Sequence, residues 1–469
     1  MNLIREEKAD LSNIWSRIRR RDFSGNTGLA IKNSVYQFMA TFFSKLGGFI
    51  ITVILARLLM PELFGLYNLA LSTILIFTSI SDLGIGSALM KFLAEEMGKR
   101  NLKKARAYLK YLWKFKLLIT LVVIAVLLAS SKYISDVFYQ KPIFLALVAG
   151  GLYVLLYSLS SFLSSILQSL NNFKGMFWGE MSFQASRIIL VPAIVLLSIK
   201  YAFSNSSALF YIILALSAAY LLSAIFIFFV PMRKTKVLKA EKSSLEKGQK
   251  KEVNVFLTAT AATAFSGIFF SYIDRIMLGH FVAAEFIGYY TAALSLITAV
   301  TALTGFSTVL LPIFSRMDQE KVYAGLKKSI RNVMLFSAAV FLGALALSPW
   351  IISLVYGSDY SPSTNILRII SPLVLLLPLI GIYSSYFLSK GKPWLVSNLL
   401  ITATAVNIIL NYVFITSLLK YGDLIAVYGS GTATVISQFL YLGALFISSR
   451  KERKKDLLPQ KESQDKASS

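Results

Sequence analysis

The chain has 469 residues, 56% of them hydrophobic, with 48 Lys+Arg against 23 Asp+Glu and a formal net charge of +25. It is too apolar for a soluble domain of this size; having no cysteine and a single histidine, His280, it offers no disulfide, no thiol catalysis and no Cys- or His-based metal cluster. Nucleic-acid binding would need a folded domain with a basic face, and no soluble domain is present to carry one.

Residues 1–27 open the chain as an expected cytoplasmic amphipathic segment. Leu11, Ile14, Trp15 and Ile18 recur at i, i+3, i+4, i+7 beside Arg17, Arg19, Arg20 and Arg21, the pattern of a helix lying in the membrane interface. No apolar core followed by small residues suggests a cleavable signal. Apolar runs of about 20 residues then recur, each long enough to cross hydrocarbon, where backbone hydrogen bonds must close within the segment. Twelve spans are expected, near residues 31–56, 64–90, 114–131, 143–168, 179–199, 207–231, 253–278, 286–314, 332–356, 364–389, 394–418 and 424–448. Residues 99–116 and 318–333 carry cations at helical spacing and suit either surface helices near anionic headgroups or basic loops that set topology. Residues 232–252 are charged and poorly periodic and read as a cytoplasmic linker. The basic cytoplasmic tail, 449–469, is polar and expected to be disordered.

Basic residues set the orientation. With both termini in the cytoplasm, only Arg57, Lys132, Lys141, Lys200 and Lys420 fall in outer loops, while the basic runs around 91–116, 233–251, 316–331 and 450–466 lie inside. That satisfies the positive-inside rule for a multi-pass protein of the cell membrane.

The chain repeats itself. At an offset of 223, Glu62, Gly65, Tyr67, Ala70, Leu71, Ser72 and Ile74 align with Glu285, Gly288, Tyr290, Ala293, Leu294, Ser295 and Ile297. A weaker echo pairs residues 185–194 with 405–414. Six spans separate the copies, so the repeats are parallel, related by an axis along the membrane normal. The expected fold class is an all-α membrane protein of about twelve helices, arranged as six-helix bundles over 28–231 and 253–448 around a central cavity.

Ionisable groups inside the spans are the functional candidates. Lys45 lies mid-span, roughly 20 Å of helix beyond Lys32 at 1.5 Å per residue, with Thr41, Ser44 and Gly48 on neighbouring positions. A charge at the bilayer centre costs roughly 3 kcal/mol and normally faces a cavity or a partner. Lys32 can reach the headgroups. Arg187 follows Gln184 by one turn, and Arg275 adjoins Asp274, where simple pairing is the competing explanation. Arg368 and Asp82 stand near span ends, and Glu180 is expected to face the cytoplasmic headgroups. Asn398, Asn407 and Asn411 suit helix-to-helix hydrogen bonds as well as they suit a sugar. There is no GxxxxGK[ST] loop and no D-x-D pair, so ATP hydrolysis and acid/base catalysis are not expected.

Residues 56–72 (ARLLMPELFGLYNLALS), 82–96 (DLGIGSALMKFLAEE) and 272–295 (YIDRIMLGHFVAAEFIGYYTAALS) resemble the signatures of O-antigen-type polysaccharide biosynthesis flippases, in the multidrug/oligosaccharidyl-lipid/polysaccharide exporter superfamily. The resemblance implies a non-enzymatic flippase that moves a polyprenyl-diphosphate-linked oligosaccharide from the cytoplasmic to the outer leaflet by alternating access. Such a protein serves surface polysaccharide or glycan assembly alongside glycosyltransferases or a polymerase, and contacts membrane lipids. Lys45, Lys32, Arg187, Arg275 and Arg368 become candidates for binding the diphosphate headgroup. Asp82 and Asp274 become candidates for coupling to a H+ or Na+ gradient; no cofactor is expected. Residues 44–49 (SKLGGF) are also similar to a motif of murein-precursor flippases, which place an essential Arg where Lys45 stands, but Ile51 and Thr52 replace the Arg–Asp pair of those relatives. The rivals are a cation-coupled multidrug exporter, which would want acidic cavity residues, and a membrane-embedded sugar transferase or polymerase, which would want a large outer loop or a catalytic carboxylate.

Overall fold

The computed structural model describes residues 25–241, 243–303 and 319–467. The expected amphipathic segment lies almost entirely outside these residues, as does the end of the eighth expected span. The crossings are made by α1 (Gly25–Asp82), α2 (Leu102–Lys132), α3 (Phe144–Ser169), α4 (Phe173–Lys200), α5 (Asn205–Phe229), α6 (Lys247–Phe281), α7 (Ala284–Leu303), α8 (Gln319–Tyr356), α9 (Leu373–Ser389, preceded by Ser363–Ile370), α10 (Pro393–Leu419) and α11 (Asp423–Ala467). No strand occurs among the described residues.

α1 is two spans. Met60 takes φ 60°, ψ 168°, a conformation that bulky L residues avoid, and Pro61 disfavours the α region before it while removing an N–H. The first arm lies along α4, with Tyr36 on Phe177 and Gly47 against Gln184. The second lies along α3, with Ile74 against Gly150 and Ser81 bonded to Ser158 at 2.8 Å. In both cases numbers rise together. Because α3 and α4 are joined by the short reversal after Ser169, the two arms of α1 are antiparallel, and among the described residues the crossings number twelve. Asn101, Asn172 and Ser204 each accept a backbone N–H three residues on, starting α2, α4 and α5 after tight reversals.

The duplicated segment forms the seam between the halves. The second arm of α1 packs on α7 so closely that a Cβ at Gly65 would overlap the Ala284 carbonyl, and a Cβ at Gly288 would overlap the Pro61 carbonyl. The offset of 223 maps each member of one contact onto a member of the other. The same end, here the far end, is also closed by Arg57 donating to the carbonyls of Leu354 and Val355, and by Tyr360 donating to Ala56 O at 2.8 Å. Lys141 donates to Gly279 O at 2.6 Å; burial pulls this ammonium below the usual lysine range, against the opposing field of Asp423. At the near end α6 leans on the N-terminal half through Phe256 on Phe92 and Asn254 accepting from Tyr111 at 2.8 Å.

Several expectations are corrected. Residues 102–116 and 319–333 are not separate surface helices but the first turns of α2 and α8; with no helix breaker after them, the helix runs on into the membrane. The linker is shorter than 232–252. A capping box between Glu246 and Gln249 starts α6 at Lys247, and Met232, Val237 and Leu245 are buried. The tail, rich in the helix formers Lys, Glu and Arg, continues α11 to Ala467. Its first turns are braced by Lys392 on Glu452 at 2.5 Å and by Arg453 over Tyr323.

Lys116 is the largest correction. The sequence groups it with the surface cations, yet it is 2% exposed inside α2 and bonds Asp82 at 2.9 Å. Asp82 ends α1 where Leu83 and Gly84 turn to positive φ, which aims its carboxylate back at α2. Breaking a buried pair costs about 3–5 kcal/mol, less where one partner is partly wet, as Asp82 is. Asp82→Ala should therefore lower the melting temperature in detergent, and Lys116→Met in the same chain should recover most of the loss; a double variant no better than the single would dismiss the pair.

Candidate functional site

Two sets of ionisable groups lie deep in the spans, one in each half. In the N-terminal half, Ser34, Gln37, Thr41 and Lys45 are all exposed and follow one another at three- and four-residue spacing, so they form a polar stripe on the first arm of α1. Met39, Leu46 and Ile50 occupy another exposed, apolar side. Among the described residues no carboxylate pairs with Lys45. One turn further, a Cβ at Gly48 would lie 3.8 Å from the Arg187 guanidinium, and a Cβ at Gly47 would overlap Gln184. Two glycines thus let α4 bring its polar face against α1 beside Lys45. Arg187 donates to Gln184 at 2.6 Å and lies over the Phe183 ring, while Gln184 donates to Glu180 at 2.5 Å. The Arg187 Nε is buried without a partner. Glu180, expected to face the cytoplasmic headgroups, ends this chain of side chains. Lys32 is exposed at the near end of the same arm and does not join the cluster.

In the C-terminal half the centre is Asp274, 7% exposed. Its carboxylate accepts from Tyr290 at 2.6 Å, Thr434 at 2.7 Å and Asn411 at 2.9 Å. Ser430 donates to Asn411 at 2.6 Å, and Asn407 donates to Ser437 at 3.1 Å. The Asn407 Oδ1 is buried and unpartnered. Four helices, α6, α7, α10 and α11, are joined through this one carboxylate. Asp274 does not pair with its neighbour: Arg275 bonds the Ser271 carbonyl at 2.9 Å and lies over the Tyr272 ring, its Nε buried and unpartnered. Of the three asparagines, Asn407 and Asn411 are fully buried in this network and Asn398 is exposed. Arg368 stands apart, exposed and held by Ser348 at 2.9 Å and Asn365 at 3.2 Å.

The repeat links the two sets. Tyr67 and Tyr290 are equivalent residues; Tyr67 lies within the electrostatic field of the Arg187 guanidinium, whereas Tyr290 donates to Asp274. The duplicated scaffold thus presents a cation in one half and an anion in the other. Sequence alone missed Lys116 and the closed network around Asp274, although Asn407, Asn411, Ser430, Thr434 and Ser437 recur at the three- and four-residue spacing that signals a polar helix face.

Comparisons with known proteins agree with this architecture. A probable low-salt glycan biosynthesis flippase, Agl15, of Haloferax volcanii is 25% identical over 185 residues, 38% of this chain. The aligned stretch spans 37% of that relative's length. A multidrug resistance MATE family transporter of the MOP superfamily, in an inward-facing conformation, superposes with a TM-score of 0.69 at 12% identity, covering 89% of this chain and 98% of the other. The lipid II flippase MurJ, in an inward closed conformation, gives 0.68 at 18% identity over 89% and 87%. These likenesses show the fold of a multi-pass membrane protein. The sequence profile described as "Polysaccharide biosynthesis protein" matches residues 30–318, more than half of the chain, and the protein belongs to that family.

Proposed function

We propose that this protein is a flippase that carries the anionic headgroup of a polyprenyl-diphosphate-linked oligosaccharide from the cytoplasmic to the outer leaflet, for surface glycan assembly. The observation that carries this reading is the pair Lys45 and Arg187. They are cations on two touching helices at mid-span depth, one with no carboxylate partner among the described residues and the other with an unpartnered buried Nε. A diphosphate entering hydrocarbon needs charge-assisted hydrogen bonds to replace its water, and its polyprenyl tail can stay in lipid meanwhile. Arg275 is the candidate cation from the other half. Arg368 and Lys32 are peripheral contributors in this scheme, since the first is held by Ser348 and Asn365 and the second lies at the near end. In this scheme the duplicated seam closes the far end, and the headgroup enters from the near end, the cytoplasmic side under the positive-inside rule, where α6 also touches the N-terminal half.

Coupling falls to Asp274 rather than Asp82, whose charge Lys116 already neutralises. One carboxylate among neutral oxygens from Asn407, Asn411, Ser430 and Thr434 suits a hard monovalent cation or a proton. The multidrug-exporter alternative lacks an exposed mid-span carboxylate among the described residues for a cationic drug.

The test is reconstitution in liposomes with candidate lipid-linked glycans, following headgroup access from outside. Lys45→Ala removes charge-assisted contacts of about 1.5–3 kcal/mol, so transport should fall roughly 10- to 100-fold. Lys45→Arg should keep appreciable transport with altered geometry, and Lys45→Glu should be worst. Wild-type rates in both Lys45→Ala and Lys45→Glu, at normal expression, would falsify the assignment.

A further inference from the structure

A cavity of about 550 Å³ lies within the N-terminal half, away from the seam between the repeats. Its volume is in the range of a small-molecule site, about 300–1,000 Å³. Its walls are Leu109 and Trp113 of α2, Phe162 of α3, Ile225 and Phe229 of α5, and Leu238 of the linker; among the described residues none of the C-terminal bundle lines it. Ile225 and Phe229 are exposed, so the α5 wall opens on the outer surface of the bundle, which in a span is the lipid. Trp113 and Phe162 meet inside with their rings tilted at 55°, 5.1 Å between centroids.

The cavity is charged at one end. Arg106, Leu109, Lys110 and Trp113 share one face of α2 at i, i+3, i+4, i+7, so both cations sit towards the start of the helix, at the membrane surface, and the tryptophan lies deeper. Lys110 is exposed, and among the described residues no carboxylate pairs with it. Arg106 donates to the Ala240 carbonyl of the linker, leaving further N–H groups of its five-donor fork. The hydroxyl-bearing Ser243 stands at the same rim. Glu241, which could have filled the charge, is held by Lys103 at 2.5 Å.

We propose that this crevice seats an anionic glycerophospholipid of the surrounding leaflet, with its phosphate at Arg106 and Lys110 and one acyl chain running down beside Trp113 and Phe162. An apolar slot capped by two cations at the headgroup level matches that chemistry and no neutral lipid's. The substrate's own tail is the less fitting occupant, because the slot opens to bulk lipid and not to the surface between the halves. A lipid so placed bridges α2, α3 and α5 to the segment that joins the two halves, and ties that segment to the N-terminal bundle. This inference stands independently of the transport reading.

The test uses the full-length protein, delipidated in detergent and titrated with phosphatidylglycerol or phosphatidylcholine under native mass spectrometry. One phosphatidylglycerol per chain should be retained at least tenfold more tightly than phosphatidylcholine. Arg106→Gln with Lys110→Gln should abolish that preference, while Lys132→Gln with Lys420→Gln, in the opposite loops, should keep it. A second measurement needs no charge variant. In vesicles of phosphatidylcholine and phosphatidylglycerol, brominating the phosphatidylglycerol should quench more tryptophan emission per bromolipid than brominating the phosphatidylcholine, and Trp113→Phe should remove that excess. Equal retention of the two lipids, or an excess that survives Trp113→Phe, overturns the site. Displacement of phosphatidylglycerol by an equimolar polyprenyl phosphate would hand the crevice to the substrate and overturn the proposed occupant.

Discussion

Asp274→Ala is expected to be among the most damaging single substitutions in the chain. Three buried donors, on Tyr290, Thr434 and Asn411, converge on this carboxylate. Each donor left without an acceptor in a dry interior costs about 1–3 kcal/mol, and water has no easy route to replace the oxygen. Asp274→Asn retains the shape but places an amide N–H₂ where two acceptor oxygens are needed, so it should recover only part of the loss. The two variants also separate structure from coupling. If the carboxylate holds a cation, wild-type melting temperature in detergent should rise with Na+ or shift with pH, and Asp274→Asn should lose that response even where it still folds. A chain that melts at the wild-type temperature after Asp274→Ala would show that the hub does not hold the four helices together.

Gly65→Val and Gly288→Val should each force the repeats apart at the far end. The obstruction in both cases is a backbone carbonyl, which cannot rotate aside as a side chain does. Ordinary overpacking costs about 1–3 kcal/mol, and a backbone obstacle sits at the upper end of that scale or beyond it. At 1.4 kcal/mol per factor of ten, the population closed at this end should fall at least tenfold. The chain has no cysteine, so spin labels on Lys132→Cys and Ser361→Cys report on this end alone. Their distance distribution should broaden and lengthen in either valine variant. Combining the two should add less than the sum, because both act on one contact. Gly343→Val, where nothing lies within 4 Å of an added Cβ, is the control. An unchanged distribution in Gly65→Val would remove the seam from the account of closure.

Span number and the repeat are legible because each is written in a local quantity: run length and a fixed offset. Lys116 is not, since a cation six residues beyond Lys110 in a basic run looks like one more surface charge. Only its packing against Asp82, 34 residues away, distinguishes it. The polar residues of α10 and α11 announced a helix face without naming its partner, because Asp274 lies 137 positions from Asn411 and nothing local couples them. Arg187 is legible by depth, but its approach to the first arm of α1 depends on Gly47 and Gly48, which in a sequence read only as small residues. The tail differs from its expected disorder, and the starts of α2 and α8 from separate surface helices or basic loops, because Lys, Arg and Glu also favour helix, and a span can draw them into register beyond the membrane surface.

The backbone-to-backbone contact of Gly65 with Ala284 and of Gly288 with Pro61 also has a mechanical meaning. Long side chains give a joint compliance, since they can stretch and rotate while remaining in touch. Main chain pressed on main chain has almost none, and a radial gap of about 0.5–1 Å already forfeits a quarter to a half of the dispersion attraction. Such a joint is brittle: it holds at full strength or lets go, with little in between. Because its two contacts are copies related by the duplication, neither can loosen first without straining the other. Separation at this end should therefore be abrupt and concerted, and single-molecule traces across it should dwell in discrete levels rather than drift.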